Sequence, residues 1–308
     1  MTAPPIHIDH LTKTFGRRRG VTDVSLTVEE GQVFGFLGPN GAGKSTTIRC
    51  LLGLYRPTSG SVCTLGHDPA LDPARCLRDV GYLPGELHLP DGLTGADVLA
   101  RFARMRGTAD TAYGESLLRR VHAETHRPIR TLSKGNKQKL GLILAFGHRP
   151  RLLVLDEPTS GLDPLLQDEF AALVQESVAD GRTVLLSSHD LDEVQQLADR
   201  VAVIREGRIV ADDTVAALRA GSPWTMDLTF DHDVSDATVR ALPGVVVRTA
   251  HPRHLTLSHT GPVAPVLAVV ARLAPTTITA RPADLDDLFR RLYDTPTDTP
   301  TEGARHAR

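Results

Sequence analysis

The order of apolar and polar positions predicts alternating strands and helices over much of the chain. Val33–Leu37 is a nearly continuous apolar run, the pattern of a strand buried on both faces of a sheet. A glycine-rich turn follows, and residues 44–52 then have helical spacing. The same succession returns at 152–178 and at 184–198. This alternation predicts a parallel α/β sheet, in which ligands bind at the carboxyl ends of the strands.

Other segments depart from this alternation. Apolar positions at 6–11 and 24–28 alternate in short stretches, which predicts strands at the start of the chain. Between about residues 86 and 150 the strand signal is absent, which predicts an all-helical insertion. Helical spacing there covers Thr94–Met105, Thr111–Val121 and Lys137–Phe146.

The pattern changes again after about residue 220, so we expect a first domain over 1–220 and a small α+β domain over 223–293. The predicted order in the second domain is βαββαβ, which suits a ferredoxin-like fold, with a last helix at Asp284–Tyr293. Its predicted strands are 224–230, 244–249, 254–258 and 276–280, and its predicted helices are 235–242 and 263–273. Residues 294–308 are rich in Thr, Pro and Asp, which predicts a disordered tail.

Composition narrows the function classes. A net charge of -2 gives no global reason to expect binding to nucleic acid or anionic lipid. Three widely spaced cysteines, Cys50, Cys63 and Cys76, indicate neither a disulfide framework nor a zinc site. The first residues lack a basic start and an apolar core, so no secretory signal is expected. No apolar run reaches the roughly 18 residues of a membrane span.

The turn after the first buried strand carries the clearest chemistry, because it matches the pattern G-x-x-x-x-G-K-[ST]. Lys44 is expected to reach the β- and γ-phosphates of a nucleotide, Ser45 to bind Mg²⁺, and Thr46 to touch the α-phosphate. A glycine-rich turn that precedes a lysine by chance is the alternative, but a buried strand before it and a helix after it favour the phosphate loop. The loop consists of Gly38, Pro39, Asn40, Gly41, Ala42, Gly43, Lys44 and Ser45.

A second site candidate follows the buried strand at 152–155, which ends in Asp156 and Glu157. Asp156 can hold Mg²⁺ through water, and Glu157 can accept a proton from an attacking water. Taken alone, the two carboxylates could also cap a strand that faces solvent.

Further motifs surround this acidic pair. Leu132-Ser133-Lys134-Gly135-Asn136 precedes the strand, Ser160-Gly161-Leu162-Asp163 follows it, and Ser188-His189-Asp190 ends the next strand. In this order, with the phosphate loop, the motifs resemble the nucleotide-binding subunits of ABC transporters over about residues 4–215. The resemblance implies a P-loop NTPase fold with an ABC-type helical subdomain and an antiparallel β-subdomain.

The resemblance also implies roles for individual residues. Phe15 matches the aromatic residue that stacks on adenine, although it could be an ordinary core residue. Ser133 and Gly135 match signature residues that contact the γ-phosphate held by the opposite subunit. Asp163 matches the loop that crosses this subunit interface. His189 matches the switch that holds the γ-phosphate and orients the base, although a strand-end histidine is often only a surface residue.

Two positions depart from the family pattern. The signature is usually Leu-Ser-Gly-Gly-Gln, whereas Lys134 and Asn136 replace the first glycine and the glutamine here. The family also places a glutamine, which contacts Mg²⁺ and signals to the membrane partner, at the position of Gly85. Either the neighbouring Glu86 substitutes for it, or coupling runs through backbone and water.

The expected function is therefore hydrolysis of ATP with Mg²⁺ by a homodimer that drives export of a drug-like, antibiotic or other amphiphilic substrate. The resemblance implies a separate transmembrane permease as partner and a location on the inner face of the cell membrane, and nucleic acid is not an expected partner. Two alternatives stay open at this point. One is a soluble ABC-type ATPase that acts on nucleic acid or ribosomes, and the other is a regulatory protein that binds ATP without turnover.

Overall fold

The computed structural model of the chain describes residues 3–16, 18–107, 112–220 and 224–282. It divides into two compact units, Met1–Val215 and Ala216–Arg308. The boundary lies a few residues before the predicted end of the first domain. The predicted helix Asp284–Tyr293 and the predicted tail 294–308 lie outside the described residues. None of the helices within these ranges combines the length and the apolar character that a membrane crossing needs.

The first unit contains the predicted alternation of strands and helices. Its strands are β1 (Ile6–Phe15), β2 (Arg18–Val28), β3 (Val33–Leu37), β4 (Ser59–Thr64), β5 (Val80–Leu83), β6 (Leu152–Asp156), β7 (Thr183–Ser188), β8 (Arg200–Arg205) and β9 (Arg208–Thr214). Its helices are α1 (Lys44–Leu51), α2 (Pro73–Leu77), α3 (Gly95–Arg106), α4 (Ala112–Arg120), α5 (Lys134–Phe146), α6 (Pro164–Ala179) and α7 (Leu191–Leu197), and α8 (Val215–Ala220) follows.

A six-stranded sheet forms the centre of this unit, in the order β5-β6-β7-β3-β8-β9. Neighbouring strands are parallel except for β9, which is antiparallel to β8. Every residue of β3, β6 and β7 is buried, as their apolar runs predict. Leu37 pairs with Ser188, and Asp156 pairs with Ser187, so the carboxyl ends of the three strands meet at one edge.

A smaller antiparallel sheet, in the order β2-β1-β4, packs its apolar side into the same core as the phosphate-loop strand. The sequence pattern predicts β1 and β2 but misses β4. Only Val62 and Thr64 are buried in β4, because most of its residues are polar or glycine and lie exposed. Pairing with β1 therefore forms this strand without an apolar alternation of its own.

The insertion between β5 and β6 is helical within the described residues, as predicted, but its helix bounds differ. α3 begins at Gly95, because Thr94 and Asp97 form a reciprocal capping box at its start. α5 begins at Lys134, whereas the sequence places its start at Lys137. The Ser133 side chain accepts a hydrogen bond from the backbone N–H of Asn136 and so caps the helix three residues earlier.

The second unit has the order βαββαβ over its described residues. Its elements are β10 (Trp224–Thr229), α9 (Ala237–Arg240), β11 (Val245–His251), β12 (His254–His259), α10 (Val263–Arg272) and β13 (Thr277–Pro282). The strands form one sheet in the order β11-β12-β10-β13, with antiparallel neighbours throughout. Its core of Met226, Leu228 and Leu257 packs against Val266 and Val270 of α10.

The predicted fold class is confirmed: an α/β core carries a phosphate loop, a helical insertion and an antiparallel β-subdomain. What matters for chemistry is the shared edge at the ends of β3, β6 and β7, because this edge brings together loops that are distant along the chain.

Candidate functional site

The phosphate loop joins the buried strand β3 to α1. Gly41 and Gly43 adopt φ angles of 80° and 116°, which residues with a Cβ rarely do. Gly38 has no room for a side chain either, because a Cβ there would lie 2.4 Å from the carbonyl oxygen of Ile204. The start of α1 has no side-chain cap, so its first N–H groups are not satisfied by a capping side chain. Such an arrangement fits an anionic phosphate group.

Lys44 is the cation of this loop, and its side chain is only 5% exposed. The ammonium donates a hydrogen bond to the carbonyl oxygen of Gly38 at 2.5 Å. It also lies 3.0 Å from the Glu157 carboxylate oxygen Oε1. A buried ammonium needs such partners, because removing a charge from water is costly. The structure therefore places Lys44 against the residue that the sequence proposes as the base.

Glu157 is held in place from three sides. Its backbone N–H donates to the carbonyl of Ser187, and its φ angle is 50°, a strained value for a residue with a side chain. Its carboxylate contacts Lys44 through Oε1 and the imidazole nitrogen Nδ1 of His189, at 2.5 Å, through Oε2. Three residues that are far apart in sequence thus form one cluster at the sheet edge.

Asp156 precedes this cluster as the last residue of β6, and it is buried. The hydroxyl of Ser187 donates to its carboxylate at 2.5 Å. Burial, and secondarily the charge of Asp156, raise the pKa of the Tyr82 phenol to about 12. The Asp156 carboxylate and the half-buried Ser45 hydroxyl are hard oxygen ligands of the kind that Mg²⁺ prefers. The donor chemistry of these two residues fits that ion.

Phe15 and Thr46 line the same cleft as the phosphate loop. The cleft has a volume of about 390 Å³, and Glu157 lies on its wall. Phe15 is 42% exposed, although a phenylalanine at this position could have been an ordinary core residue. Its exposure beside the phosphate loop suits a ring that a base can stack on.

The signature segment, Leu132-Ser133-Lys134-Gly135-Asn136, does not line this cleft. Ser133 is exposed, and a Cβ built on Gly135 would meet no atom within 4 Å. Asn136 exchanges two hydrogen bonds of 2.7 Å with the backbone of Glu124, which ties the start of α5 to the preceding loop. Hydrogen bonds thus hold the signature segment in place, while Ser133 and the space around Gly135 stay accessible to a ligand.

Asp163 does not line the cleft either. Its side chain caps α6 by accepting a hydrogen bond from the N–H of Leu166 at 2.9 Å. The neighbouring Leu165 is 83% exposed. One chain therefore brings together the phosphate loop, Glu157 and His189, but leaves the signature residues and Asp163 outside their cleft.

Gly85 lies beside the acidic pair. A Cβ at this position would be 3.2 Å from the carbonyl oxygen of Asp156 and 3.6 Å from the Glu157 Cβ. The side chain of Glu86 is exposed. Position 85 is therefore the one that borders the cluster, and substitution of the missing glutamine by Glu86 stays a prediction.

Sequence reasoning missed several supporting residues. Ser187 holds Asp156, and Gln138 donates from its side chain to the carbonyl of Pro158 at 3.4 Å. The Lys134 ammonium packs over Gly161, 2.9 Å from the position of a Cβ there. Nothing in the pattern marks Ser187 or Gln138, since a serine in a buried strand and a glutamine in a helix are ordinary. Lys134 stood out only as a departure from a motif.

Comparison with known proteins gives a consistent result. The family model described as ABC transporter matches residues 21–160. The ABC transporter ATP-binding protein YdbJ of Bacillus subtilis is 37% identical over 215 residues, which are 69% of this chain and 70% of that protein. The daunorubicin/doxorubicin resistance ATP-binding protein DrrA of Streptomyces peucetius is 37% identical over 220 residues, which are 70% of this chain and 67% of that protein.

A solved structure of an ATP-binding subunit of an ABC transporter is also similar. It has 31% sequence identity and a TM-score of 0.65, and the match covers 70% of this chain and 91% of that one. The similarity thus extends over the part of the chain that carries the phosphate loop and the acidic strand.

Proposed function

The chain belongs to the ABC transporter family as one of its ATP-binding proteins, and from this premise we propose that it hydrolyses MgATP to drive export through a separate membrane permease. The observation that carries the proposal is the cluster of Lys44, Glu157 and His189 beside a phosphate-binding helix start. A protein that only bound nucleotide would have little need of a carboxylate held at this place.

The chemistry follows from the positions of these side chains. A water oxygen attacks the γ-phosphorus of ATP while the bond from that phosphorus to the ADP oxygen breaks. Glu157 takes the proton from this water, a role that contributes about 10²–10⁴-fold in rate. The His189 ring, 2.5 Å from the Glu157 carboxylate, keeps that carboxylate oriented. Mg²⁺, held by Ser45 and Asp156, would supply positive charge that offsets the phosphate charge.

The ion pair between Lys44 and Glu157 implies an order of events. In this structure the two charges at 3.0 Å satisfy each other. A bound triphosphate offers Lys44 a partner with more negative charge, which draws the ammonium toward the phosphates. Glu157 is then free to accept a proton from water. Nucleotide binding therefore releases the Glu157 carboxylate from its ion pair, so that it can act as the base.

A second copy of the chain is the proposed partner at the signature segment. Ser133 and Gly135 lie outside the cleft that holds Phe15 and Lys44, and they are open to solvent. The start of α5, which Ser133 caps, suits a phosphate group that another subunit presents, because the N-terminus of a helix favours negative charge. Asp163, which caps α6, and the exposed Leu165 in the first turn of that helix would face the same partner. ATP would then join two identical subunits.

The permease is proposed to dock where the helical insertion meets β5. A cleft of about 320 Å³ there is lined by apolar residues that include Pro84, Leu87 and Leu89. Gly85 and Glu86 lie in the same loop, which connects this cleft to Asp156 and Glu157. Movement of a docked helix can therefore reach the cluster. Attachment to a permease would hold the chain at the inner face of the cell membrane.

The substrate class is proposed to be drug-like, antibiotic or otherwise amphiphilic. Its support is the similarity to DrrA, whose name assigns it to daunorubicin and doxorubicin resistance. Action on nucleic acid is not favoured, because the net charge of -2 offers no excess of positive charge for phosphate backbones.

The decisive experiment measures phosphate release from MgATP by the full chain, alone and with the membrane protein that copurifies with it. We expect basal hydrolysis and its stimulation by amphiphilic drugs when the permease is present. Glu29→Gln, which changes an exposed carboxylate away from the cleft, is the matched control and should match the parent. Absence of hydrolysis in both preparations would contradict the ATPase, and stimulation by nucleic acid instead of drugs would contradict the exporter.

A further inference from the structure

The ring of Phe15 is held in one orientation although it is 42% exposed. One ring edge packs on Gly20, where a Cβ would lie only 2.9 Å from the Phe15 carbon Cε2 and 3.2 Å from a methyl carbon of Thr46. A side chain at residue 20 would therefore displace the ring. The absence of one lets the ring lie against the backbone of β2 at the mouth of the cleft.

Tyr55 supports the ring from another side. The two ring centroids are 5.2 Å apart with an interplanar angle of 73°, the edge-to-face geometry that aromatic pairs favour. Tyr55 is itself anchored to α1, since its N–H donates to the carbonyl of Arg49 at 3.0 Å. The Arg49 guanidinium lies 5.5 Å from the Tyr55 ring centroid and donates to the phenol oxygen at 3.1 Å.

Lys13 completes this aromatic cluster. Its ammonium lies over the Phe15 ring, 5.3 Å from the centroid, and 5.9 Å from the Tyr55 centroid. It donates to the carbonyl of Arg56 at 2.8 Å. The loop that carries Tyr55 is thereby joined to β1, and a bond of 2.8 Å from the N–H of Thr58 to this strand reinforces the joint. Because the ammonium takes one ring face, a base would stack on the opposite face.

On the basis of the ATP-binding function proposed above, we infer that Tyr55 is a positioning residue for recognition of a purine base. It fixes the Phe15 ring so that the base stacks on a preformed surface. Because Tyr55 is bonded to the last turn of α1, whose first turn receives the phosphates, the helix connects the base platform to the phosphate site. A ring held in advance loses less side-chain entropy when the base binds.

Two substitutions separate this role from simple packing. Tyr55→Leu removes the ring that supports Phe15, and we expect it to weaken MgATP binding about three- to tenfold. Tyr55→Phe keeps the ring and removes only the phenol bond to Arg49, so its affinity should stay within about twofold of the parent. Circular dichroism and thermal unfolding of each full-length variant check that it is folded.

Inorganic tripolyphosphate is the probe that lacks a base. Its competition with a fluorescent ATP analogue should be unchanged by Tyr55→Leu, since it uses only the phosphate loop. Equal losses for tripolyphosphate and ATP would overturn the proposal, because Tyr55 would then act through the fold of α1. If neither ligand bound even the parent, the ATP-binding function itself would fail, which is a different outcome.

A double-mutant cycle tests whether Tyr55 acts through Phe15. Phe15→Leu should weaken ATP binding by about fivefold or more, since base stacking is lost. In that background Tyr55→Leu should cause no further loss, because there is no ring left to position. Additive losses would contradict the positioning role while leaving the hydrolytic assignment of Glu157 intact.

Discussion

The phosphate loop and the signature segment both lie at the start of a helix, but they differ in burial and in their contacts within the chain. Lys44 is 5% exposed and pairs with Glu157 within the chain. Ser133 and Lys134 are exposed, and Gly135 has open space around it. The phosphate loop contacts the proposed base within the same chain. The signature segment has only the helix cap of Ser133 and the hydrogen bonds between Asn136 and the backbone of Glu124.

This difference shows that local sequence alone does not reveal which of two helix starts lies beside other functional side chains of the same chain. Both segments have glycines at or near the start of a helix, but only the signature segment has a side-chain cap, which Ser133 provides. Only the phosphate loop follows a strand that is buried on every residue, which places it beside the ends of two other buried strands. The signature segment follows a 3₁₀ turn at Ile129–Thr131 on the helical insertion, and none of its residues lines the cleft of the phosphate loop.

Removing the proposed base beside the phosphate loop should have the largest effect on ATP turnover. We expect Glu157→Gln to lower turnover about 10²–10⁴-fold while ATP binding persists, because an amide cannot accept the proton from water. An ATP-bound dimer should accumulate, which size-exclusion chromatography with MgATP would detect. Turnover near the parental rate in this variant would refute the assignment of the base.

Removing the cation should affect binding before chemistry. We expect Lys44→Ala to weaken ATP affinity about tenfold to a hundredfold, the worth of a charged hydrogen bond to phosphate. Equilibrium titration with a fluorescent ATP analogue measures the loss. Lys134→Ala, in the open half, is the matched control and should leave the affinity of the isolated subunit unchanged. Equal losses in the two variants would remove the distinction between the halves.

A mixing experiment tests whether the two halves come from different subunits. Gly135→Asp adds a carboxylate in open space, so the fold should tolerate it while phosphate is repelled. Gly135→Asp and Lys44→Ala should each be inactive alone. Their equimolar mixture should recover up to about a quarter of parental ATPase, because half of the random dimers contain one intact composite site. No recovery would indicate that each subunit is complete by itself.

Acid should destabilise the helical insertion, which carries the signature segment, through the contact between Arg106 and His148. Arg106 of α3 donates to the carbonyl of Val80 and lies 2.6 Å from the His148 nitrogen Nε2, which links the helical insertion to β5. Burial, and secondarily the charge of Arg106, lower the pKa of His148 to about 4. The folded state therefore disfavours the protonated ring.

The sign of the pH dependence follows from this shift. In the unfolded chain the pKa of histidine is about 6.5, so between roughly pH 6.5 and 4 the unfolded state binds more protons. Stability should therefore fall as the pH drops through this window, by about 1–3 kcal/mol for this residue. His148→Gln should flatten the slope, measured by urea unfolding at several pH values. An unchanged slope would contradict the contribution of His148.

The smallest effect on basal chemistry is expected at Gly85. A side chain there meets the Asp156 carbonyl at 3.2 Å, which is tight but tolerable with a small shift. We expect Gly85→Gln to leave basal ATPase within about twofold and to alter stimulation by the permease, since the loop connects the two. A large change in basal rate would indicate that this loop acts directly on the chemistry.

Most of the fold could be predicted from periodicity. The apolar runs at Val33–Leu37 and 152–155 predict strands buried on both faces, and every residue of the observed strands Val33–Leu37 and Leu152–Asp156 is buried. β4 was missed because its residues 59–61 are polar or glycine, and the pairing with β1 decides their conformation. The start of α5 was placed too late because the cap depends on one side-chain bond of Ser133, which spacing does not reveal.

The phosphate loop is recognisable from sequence, because Gly41, Gly43 and Lys44 form a local pattern between a buried strand and a helix. The sequence also marked Glu157 and His189 as candidates. Tertiary packing alone brings the Glu157 carboxylate to 3.0 Å from the Lys44 ammonium and to 2.5 Å from the His189 imidazole. Sheet register explains this: parallel pairing in the order β6-β7-β3 aligns the end of β3 with the ends of β6 and β7, which both lie more than a hundred residues further along the chain.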